Sequence, residues 1–220
     1  MKKIKNIDKI IKILKKESKN WKYPFVSDWA RVVKDPFTTL ISCILSLRTK
    51  DEVTAKASIR LLKKYNTPQK ILRLSNKQIE KLIYPVGFYK TKAKRIKEIC
   101  KVLIEKYKGK VPDTFDELIK LKGVGPKTAS ITVVYGFNKP HHIPVDTHVN
   151  QIANRLGWVK TKAPEKTQIE LEKIIPRRYW YDLNELLVQF GQNICVSVSP
   201  FCSRCLIRKY CPRIGVLRSR

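Results

Sequence analysis

The sequence predicts an all-helical protein. Apolar residues recur at intervals of three and four along nearly the whole chain, and strict alternation of apolar and polar residues is rare. Local signals mark helix starts: Asp35 before Pro36 is an Asx cap with proline in the first turn, and Ser75 with Gln78 makes a capping box. With 220 residues, 43% of them hydrophobic, the chain can bury a core as one large domain or two smaller ones.

The predicted helices follow one another along the chain with short connections. The first carries one apolar stripe with lysines on the opposite face, formed by Ile4, Ile7, Ile11 and Leu14. Residues 21–29, WKYPFVSDW, are interpreted as the crossing from this helix to the main bundle. The later helices are predicted over residues 36–45, 51–65, 68–74, 76–83, 90–107, 147–156, 164–175 and 180–192.

The charge balance indicates a polyanionic partner. Lys and Arg number 47 against 18 Asp and Glu, and the resulting net charge of +29 argues against an ordinary enzyme of neutral metabolites. The hydrophobic content excludes a disordered basic tail. The sequence has neither an apolar run long enough for a membrane span nor a segregated signal peptide. We therefore expect an intracellular, cytoplasmic protein that associates with the nucleoid and has no membrane partner.

The six cysteines fall into two groups. Cys43 and Cys100 lie in apolar helical patterns and are expected to be buried hydrophobic residues. The others form a C-x6-C-x2-C-x5-C pattern at Cys195, Cys202, Cys205 and Cys211. Disulfides are disfavoured inside cells, and four thiolates suit either a tetrahedral zinc or an iron-sulfur cluster. Only one C-x2-C pair is present, whereas zinc sites more often have two, so the spacing leaves the metal open.

Residues 114–136 predict a helix, a short KGVG turn and a second helix. Thr114 and Glu117 form a capping box for the first helix, and Pro126 starts the second. The turn presents backbone N–H groups at the positive end of the second helix, which suits a nucleic-acid phosphate and reads no bases. The alternative is a plain helical hairpin with glycine packing. The candidate backbone-contacting residues are Lys122, Gly123, Val124, Gly125 and Thr128.

Lys127 and Asp146 are the candidate catalytic residues. Lys127 falls in the first turn of the second hairpin helix, where the helix dipole disfavours an ammonium and favours a nucleophilic free amine. The alternative is a cation that only contacts phosphate. Asp146 follows the apolar triplet IPV, which should place its carboxylate in a partly buried site. It is also placed to cap the helix that begins at Thr147, and local sequence alone favours the cap.

Three motifs in register resemble the endonuclease III family of the helix-hairpin-helix DNA glycosylase superfamily. They are LKGVGPKTAS at residues 121–130, VDTH at 145–148 and the terminal cysteine pattern, within a resemblance that runs from about residue 34 to residue 211. The resemblance implies a bifunctional DNA glycosylase and AP lyase of base excision repair that acts mainly on oxidised pyrimidines. It also implies Lys127 as the Schiff-base lysine, Asp146 as the essential aspartate and a [4Fe-4S] cluster on the four terminal cysteines.

The resemblance further implies the domain organisation and the partner. A six-helix bundle with the helix-hairpin-helix motif is expected over residues 29–139. An iron-sulfur cluster domain is expected over residues 1–28 together with 140–220, with a cleft between the two domains. The expected partner is double-stranded DNA that contains damaged bases or abasic sites, and the protein is expected to be a monomer.

Aligned segments add further candidate DNA contacts. Phe88 in VGFYKTKA matches the bulky residue that wedges into the duplex, and Arg48 in LSLRTKD stands where the family often has a gap-filling Gln. The alternatives are core burial for Phe88 and a solvated role for Arg48. His148 of the VDTH motif is another candidate contact. The VSVSPF loop lacks the basic residue that relatives often have there. Contacts from this side are therefore expected from Arg204, Arg208 or Lys209.

Two other functions are compatible with these motifs. A monofunctional glycosylase of the same superfamily would remove a mismatched thymine, uracil or adenine by water attack, and it would need Asp146 but not the Lys127 amine. A noncatalytic DNA-binding protein would keep the hairpin and the metal centre for structure alone. The presence or absence of a covalent adduct between enzyme and DNA separates these possibilities.

Overall fold

The computed structural model of the protein describes residues 4–220, and all regular secondary structure in this part of the chain is helical. This confirms the predicted all-α class. In chain order the α-helices are α1 (Ile7–Glu17), α2 (Phe25–Val33), α3 (Pro36–Ser46), α4 (Asp51–Leu62), α5 (Pro68–Leu72), α6 (Asn76–Ile83), α7 (Tyr89–Tyr107), α8 (Phe115–Ile119), α9 (Pro126–Ile131), α10 (Thr147–Arg155), α11 (Pro164–Ile174) and α12 (Trp180–Asn193). None of them combines the length and hydropathy needed to cross a membrane.

The described residues divide into two compact units. The hairpin unit is Phe25–Lys139 and contains α2 to α9. The cysteine unit joins the residues up to Pro24 to Pro140–Arg220, and it contains α1 and α10 to α12. Helix α1 shares a core with the C-terminal helices, because its buried stripe packs in one cluster with Leu183 and Leu187 of α12.

Helix α2 is the main departure from the predicted elements. The crossing segment predicted at residues 21–29 is helical from Phe25 onward. The Phe25 N–H donates to Oδ2 of Asp51 at 3.0 Å, so the acceptor at the start of α2 comes from the first residue of α4. An acceptor supplied by a distant residue leaves no capping signal in the local sequence, and the start of this helix therefore escapes sequence analysis.

Helix α3 is the central element of the hairpin unit. Its residues from Phe37 to Leu45 are all buried, and it contacts α2, α4, α7 and α9. Asp35 caps the helix as predicted by accepting from the Thr38 N–H at 2.8 Å. Cys43 on α3 and Cys100 on α7 are 2% and 0% exposed, which confirms both as buried hydrophobic residues. Helix α9 therefore packs against a helix that is itself buried.

Candidate functional site

The predicted hairpin is present as α8, a turn and α9. The turn closes through the Val124 N–H, which donates to the Leu121 carbonyl at 2.9 Å. Gly125 is the N-cap of α9 and Pro126 occupies its first turn. The N–H groups at the start of α9 have no intrahelical acceptor, so the turn has the donor arrangement that suits an anion.

The capping box predicted at the start of α8 is only half formed. Thr114 Oγ1 accepts from the Glu117 N–H at 3.4 Å. The Glu117 carboxylate is engaged elsewhere, since it accepts from the Tyr107 hydroxyl at 2.6 Å and pairs with Lys120. The side chain that sequence analysis assigned to the cap therefore ties α8 to the end of α7.

The two glycines of the turn serve different purposes. Gly123 has φ +84°, and a Cβ at this position would lie 2.7 Å from the Arg95 side chain. Gly125 has an ordinary φ of −92°, and a Cβ there would have no neighbour within 4 Å. Gly123 is thus required by the fold, whereas Gly125 leaves open space at the start of α9 into which another backbone can approach.

The predicted backbone-contacting residues of the turn differ in exposure. Lys122, Gly123 and Gly125 are exposed. The Val124 and Thr128 side chains are buried, at 5% and 3% exposure, and belong to the interior of the unit. For these two residues only the backbone is available, so a phosphate contact by their N–H groups stays a prediction while a side-chain contact is ruled out.

Lys127 lies in the first turn of α9, and its side chain is partly buried. Its charge acts on Cys43 of α3: burial raises the pKa of the Cys43 thiol to about 12, and the Lys127 ammonium opposes part of that rise. Lys127 therefore lies close to α3, on the side that carries Cys43. The Lys127 side chain is thus partly buried at the start of the helix that follows the open turn.

Asp146 lies in the cysteine unit and caps α10 by accepting from the Val149 N–H at 2.9 Å. The preceding apolar residues are buried as predicted, with Ile143 at 0% and Val145 at 3% exposure. Asn184 of α12 donates to the Pro144 carbonyl at 2.9 Å and fixes this segment from behind. The capping role is therefore present, and it holds the carboxylate in one orientation.

His148 is half-buried, and its contact with DNA stays a prediction. Its Nδ1 is buried without a hydrogen-bond partner, and a Cβ on Gly191 of α12 would lie 2.6 Å from that atom. This edge of the ring packs inside the cysteine unit and is not available to DNA. One edge of the VDTH histidine thus packs within the unit, and Gly191 is the residue that makes room for it.

The four terminal cysteines line one cavity in the cysteine unit. Apolar residues complete its wall, among them Ile152, Phe190, Phe201 and Ile207. Burial, reinforced by the neighbouring thiols, raises the pKa of Cys205 to about 11, and burial also raises the pKa of Cys195 and Cys211. Among residues 4–220 no three His, Cys, Asp or Glu side chains lie close enough together to share one metal ion. The four cysteines instead surround the cavity between them.

Arg155, at the end of α10, also lines this cavity, and sequence analysis missed it. It is only 7% exposed. Its guanidinium donates to the Cys195 and Val196 carbonyls and to the Ser197 carbonyl, and one nitrogen lies 3.3 Å from Cys195 Sγ. The sequence gives no signal for this role, because a basic residue at a helix end is ordinarily an exposed partner of the helix dipole.

The basic residues near the cysteines remain on the surface. Arg204, Arg208 and Lys209 are exposed, as a role in binding a polyanion requires. Arg204 and Arg220 both stack on the Phe201 ring, each with its guanidinium carbon 4.1 Å from the ring centroid. This stacking gives the short loop that carries two of the cysteines a fixed basic surface.

The structure brings Arg48 and Phe88 together in the hairpin unit. Phe88 is 63% exposed, which rules out the core alternative, and Arg48 is exposed as well. The Arg48 guanidinium carbon lies 5.8 Å from the centroid of the Phe88 ring. Both residues have a left-handed backbone, with φ 50° and 58°. An exposed aromatic ring and an exposed cation thus form one projecting pair.

Comparison with known proteins assigns the chain to a class of DNA repair proteins. Residues 41–177 match the family model described as HhH-GPD superfamily base excision DNA repair protein. The endonuclease III of Thermotoga maritima is 48% identical over 80% of this chain and 83% of its own length. The endonuclease III-like protein 1 of Gallus gallus is 44% identical over 80% of this chain and 63% of its own length. The matched part of this chain thus spans more than four fifths of the bacterial protein and less than two thirds of the vertebrate one.

A solved structure agrees with these sequence matches. The structure of a trapped endonuclease III–DNA covalent intermediate covers 97% of both chains with a TM-score of 0.84 at 33% identity. The chain belongs to the endonuclease III family of DNA glycosylases and AP lyases, which act in base excision repair. This confirms the resemblance drawn from the three motifs.

Proposed function

We propose that this chain excises oxidised pyrimidines from duplex DNA and cleaves the resulting abasic site, with Lys127 as nucleophile and Asp146 as its carboxylate partner. The observation that carries the proposal is the position of Lys127. It stands in the first turn of α9, directly after an open glycine turn whose N–H groups suit phosphate. One helix start can therefore bind the DNA backbone and present an amine to the adjoining sugar.

The reaction begins with extrusion of the damaged nucleotide, which costs a few kcal/mol and costs least for a poorly paired base. The Lys127 amine attacks C1′ and forms a C–N bond while the glycosidic bond breaks and the base leaves with its electron pair. Asp146 stabilises the cationic sugar and assists the proton transfers. The sugar ring opens as the C1′–O4′ bond breaks, O4′ takes up the proton that the attacking nitrogen releases, and a protonated imine forms. Loss of a C2′ proton then expels the 3′ phosphate by β-elimination, and water later releases the lysine.

Borohydride trapping on a thymine-glycol duplex tests this function directly. Reduction of the imine would leave a stable covalent adduct between the wild-type chain and DNA. Base release without an adduct would instead identify a monofunctional glycosylase that uses water. Binding with neither release nor adduct would identify a noncatalytic DNA-binding protein.

The four terminal cysteines are proposed to hold a [4Fe-4S] cluster. Each iron of such a cluster takes one thiolate, and four thiols around one cavity fit this requirement. The cluster would have no open coordination position, so its contribution is structural: it fixes the loop from Cys195 to Cys211. Arg155 supports this loop from the protein side through its bonds to three consecutive carbonyls.

Metal analysis and colour test the cluster. The purified protein is expected to be yellow-brown and to contain about four irons and four sulfides per chain. Cys205→Ser should lose the colour and part of the iron, because it removes one ligand. Cys43→Ser is the matched control, since Cys43 is buried in the other unit, and it should keep the colour. A colourless protein with stoichiometric zinc would overturn the iron assignment.

Salt dependence tests the contact with the DNA backbone. If Lys and Arg neutralise about five phosphates, the logarithm of the association constant should fall with the logarithm of salt concentration at a slope of about −4.5. Fluorescence anisotropy with an undamaged duplex measures this slope. Lys122→Ala should reduce it by about one without changing any base preference. A slope near zero would contradict backbone binding.

A further inference from the structure

Lys92 is a buried lysine that the proposed reaction does not use. It lies near the start of α7, is 7% exposed and has a side chain that reaches back to the end of α3. Its Nζ donates to the Leu45 carbonyl at 2.9 Å, to the Leu47 carbonyl at 2.5 Å and to Thr49 Oγ1 at 3.1 Å. A lysine ammonium has three donors, and here each of them has one acceptor.

Thr49 extends this arrangement to a second turn. Its hydroxyl accepts from Lys92 and from the Gly87 N–H at 3.1 Å, and it donates to the Leu47 carbonyl at 3.2 Å. The hydroxyl thereby uses its one donor and both acceptor positions. Gly87 packs closely against the same turn, since a Cβ there would lie 2.5 Å from the Arg48 carbonyl oxygen. Hydrogen bonds from Lys92 and Thr49 therefore connect the turn at residues 47–49 to the turn at residues 86–88.

These two connected turns carry the exposed pair Arg48 and Phe88. A left-handed backbone is costly for any residue with a Cβ, and it persists only where surrounding bonds hold it. Here two such residues lie side by side, and the bonds from Lys92 and Thr49 fall on the residues immediately next to them. The buried ammonium is retained although burial lowers the pKa of Lys92 to about 8. A bare packing role would not need a charge there.

We propose that Lys92 is a positioning residue that holds the Arg48 and Phe88 turns as one rigid probe, which enters the duplex beside the extruded nucleotide. Lys92 touches neither the DNA nor the reacting atoms. The inference rests on the proposed function, because the probe acts only where a nucleotide is extruded from a duplex. Lys92 therefore controls access of the lesion to Lys127 and leaves the chemistry of the amine unchanged.

Lys92→Met tests this role against a matched control. Lys97 lies on the same helix and also donates to a carbonyl, that of Leu74 at 2.7 Å, but this carbonyl belongs to neither of the two turns. Lys92→Met should lower single-turnover excision from a thymine-glycol duplex by about 100-fold, the loss that a small misplacement can cause. It should leave borohydride trapping on single-stranded abasic DNA within about threefold of wild type, since no duplex has to be opened. Lys97→Met should match wild type on both substrates.

A double-mutant cycle separates positioning from general destabilisation. In the Phe88→Ala background, where the probe is already lost, Lys92→Met should cost about threefold or less, whereas independent effects would multiply. Thr49→Val keeps the side-chain volume and removes the shared hydroxyl, so it should reproduce the duplex-specific loss. This variant replaces Lys92→Met if the latter fails to fold. Equal losses on duplex and single strand, or multiplying effects, would overturn the inference. Absence of any adduct with wild type on both substrates would overturn the proposed function itself and the inference with it.

Discussion

Lys127→Ala is expected to abolish the borohydride-trapped adduct and to lower both base release and strand cleavage by about 10³-fold or more. The substitution removes the amine that forms the covalent bond to C1′. Alanine suits a helix, and Gly125 and Pro126 still set the start of α9, so the fold and the phosphate site should persist. DNA binding should therefore weaken far less than catalysis. Single-turnover assays on a thymine-glycol duplex, with anisotropy on the same duplex, measure the two effects.

Lys122→Ala is the control for this experiment. Lys122 is an exposed lysine of the same turn, and its loss removes one positive charge from the DNA contact without removing the nucleophile. It should weaken binding and still yield the adduct at saturating enzyme. If Lys127→Ala trapped DNA as well as wild type does, the amine assignment would be wrong. Another amine of the chain would then be the nucleophile, whereas base release without any adduct in the wild type would favour water attack assisted by Asp146.

Local signals in the sequence were sufficient for most of the fold. The caps at Asp35 and Ser75 form as predicted, because each accepts from an N–H three residues ahead and needs no other part of the chain. The glycine turn before α9 is also local. Six residues specify the end of one helix, the open turn and the proline in the first turn of the following helix. Elements specified by neighbours along the chain are the ones that sequence patterns can predict.

The residues that escaped prediction depend on distant partners. Helix α2 starts on a carboxylate from α4, Arg155 binds carbonyls about forty residues further along the chain, and Lys92 binds the end of α3. In a chain with 47 Lys and Arg, nothing in the sequence separates Arg155 and Lys92, which are buried, from the basic residues that the structure places in solvent. The packing of the His148 ring edge has a similar explanation, because the position of its buried Nδ1 depends on the absence of a side chain at Gly191.

Asp146 poses a different problem, because its two predicted roles are compatible. The structure gives it the cap of α10, which sequence analysis considered the more ordinary role. The catalytic role rests on the family and on its VDTH motif. A cap also fixes the carboxylate, so the ordinary role supplies the rigidity that a catalytic group needs. The two roles can be separated experimentally because they need different chemical properties: the cap needs an acceptor oxygen, and the proposed catalytic role needs a negative charge.

Asp146→Asn is therefore expected to leave the fold intact and to lower base excision by about 10³-fold. Asparagine keeps an oxygen for the Val149 N–H and caps helices about as well as aspartate does, so thermal unfolding should change little. Asp146→Ala removes acceptor and charge together and should lose the activity and, in addition, about 1 kcal/mol of stability. The comparison of these two variants assigns the loss of activity to the charge.

Asp35→Asn provides the matched control, since Asp35 caps α3 through the same kind of bond, to the Thr38 N–H at 2.8 Å. It removes a carboxylate charge from a helix start in the hairpin unit, and it should retain wild-type excision and wild-type stability within a few tenths of a kcal/mol. Full activity in Asp146→Asn would show that Asp146 is a cap alone. Equal losses in Asp146→Asn and Asp35→Asn would mean that the activity responds to any change at a helix start, and the assignment of the carboxylate partner would fail.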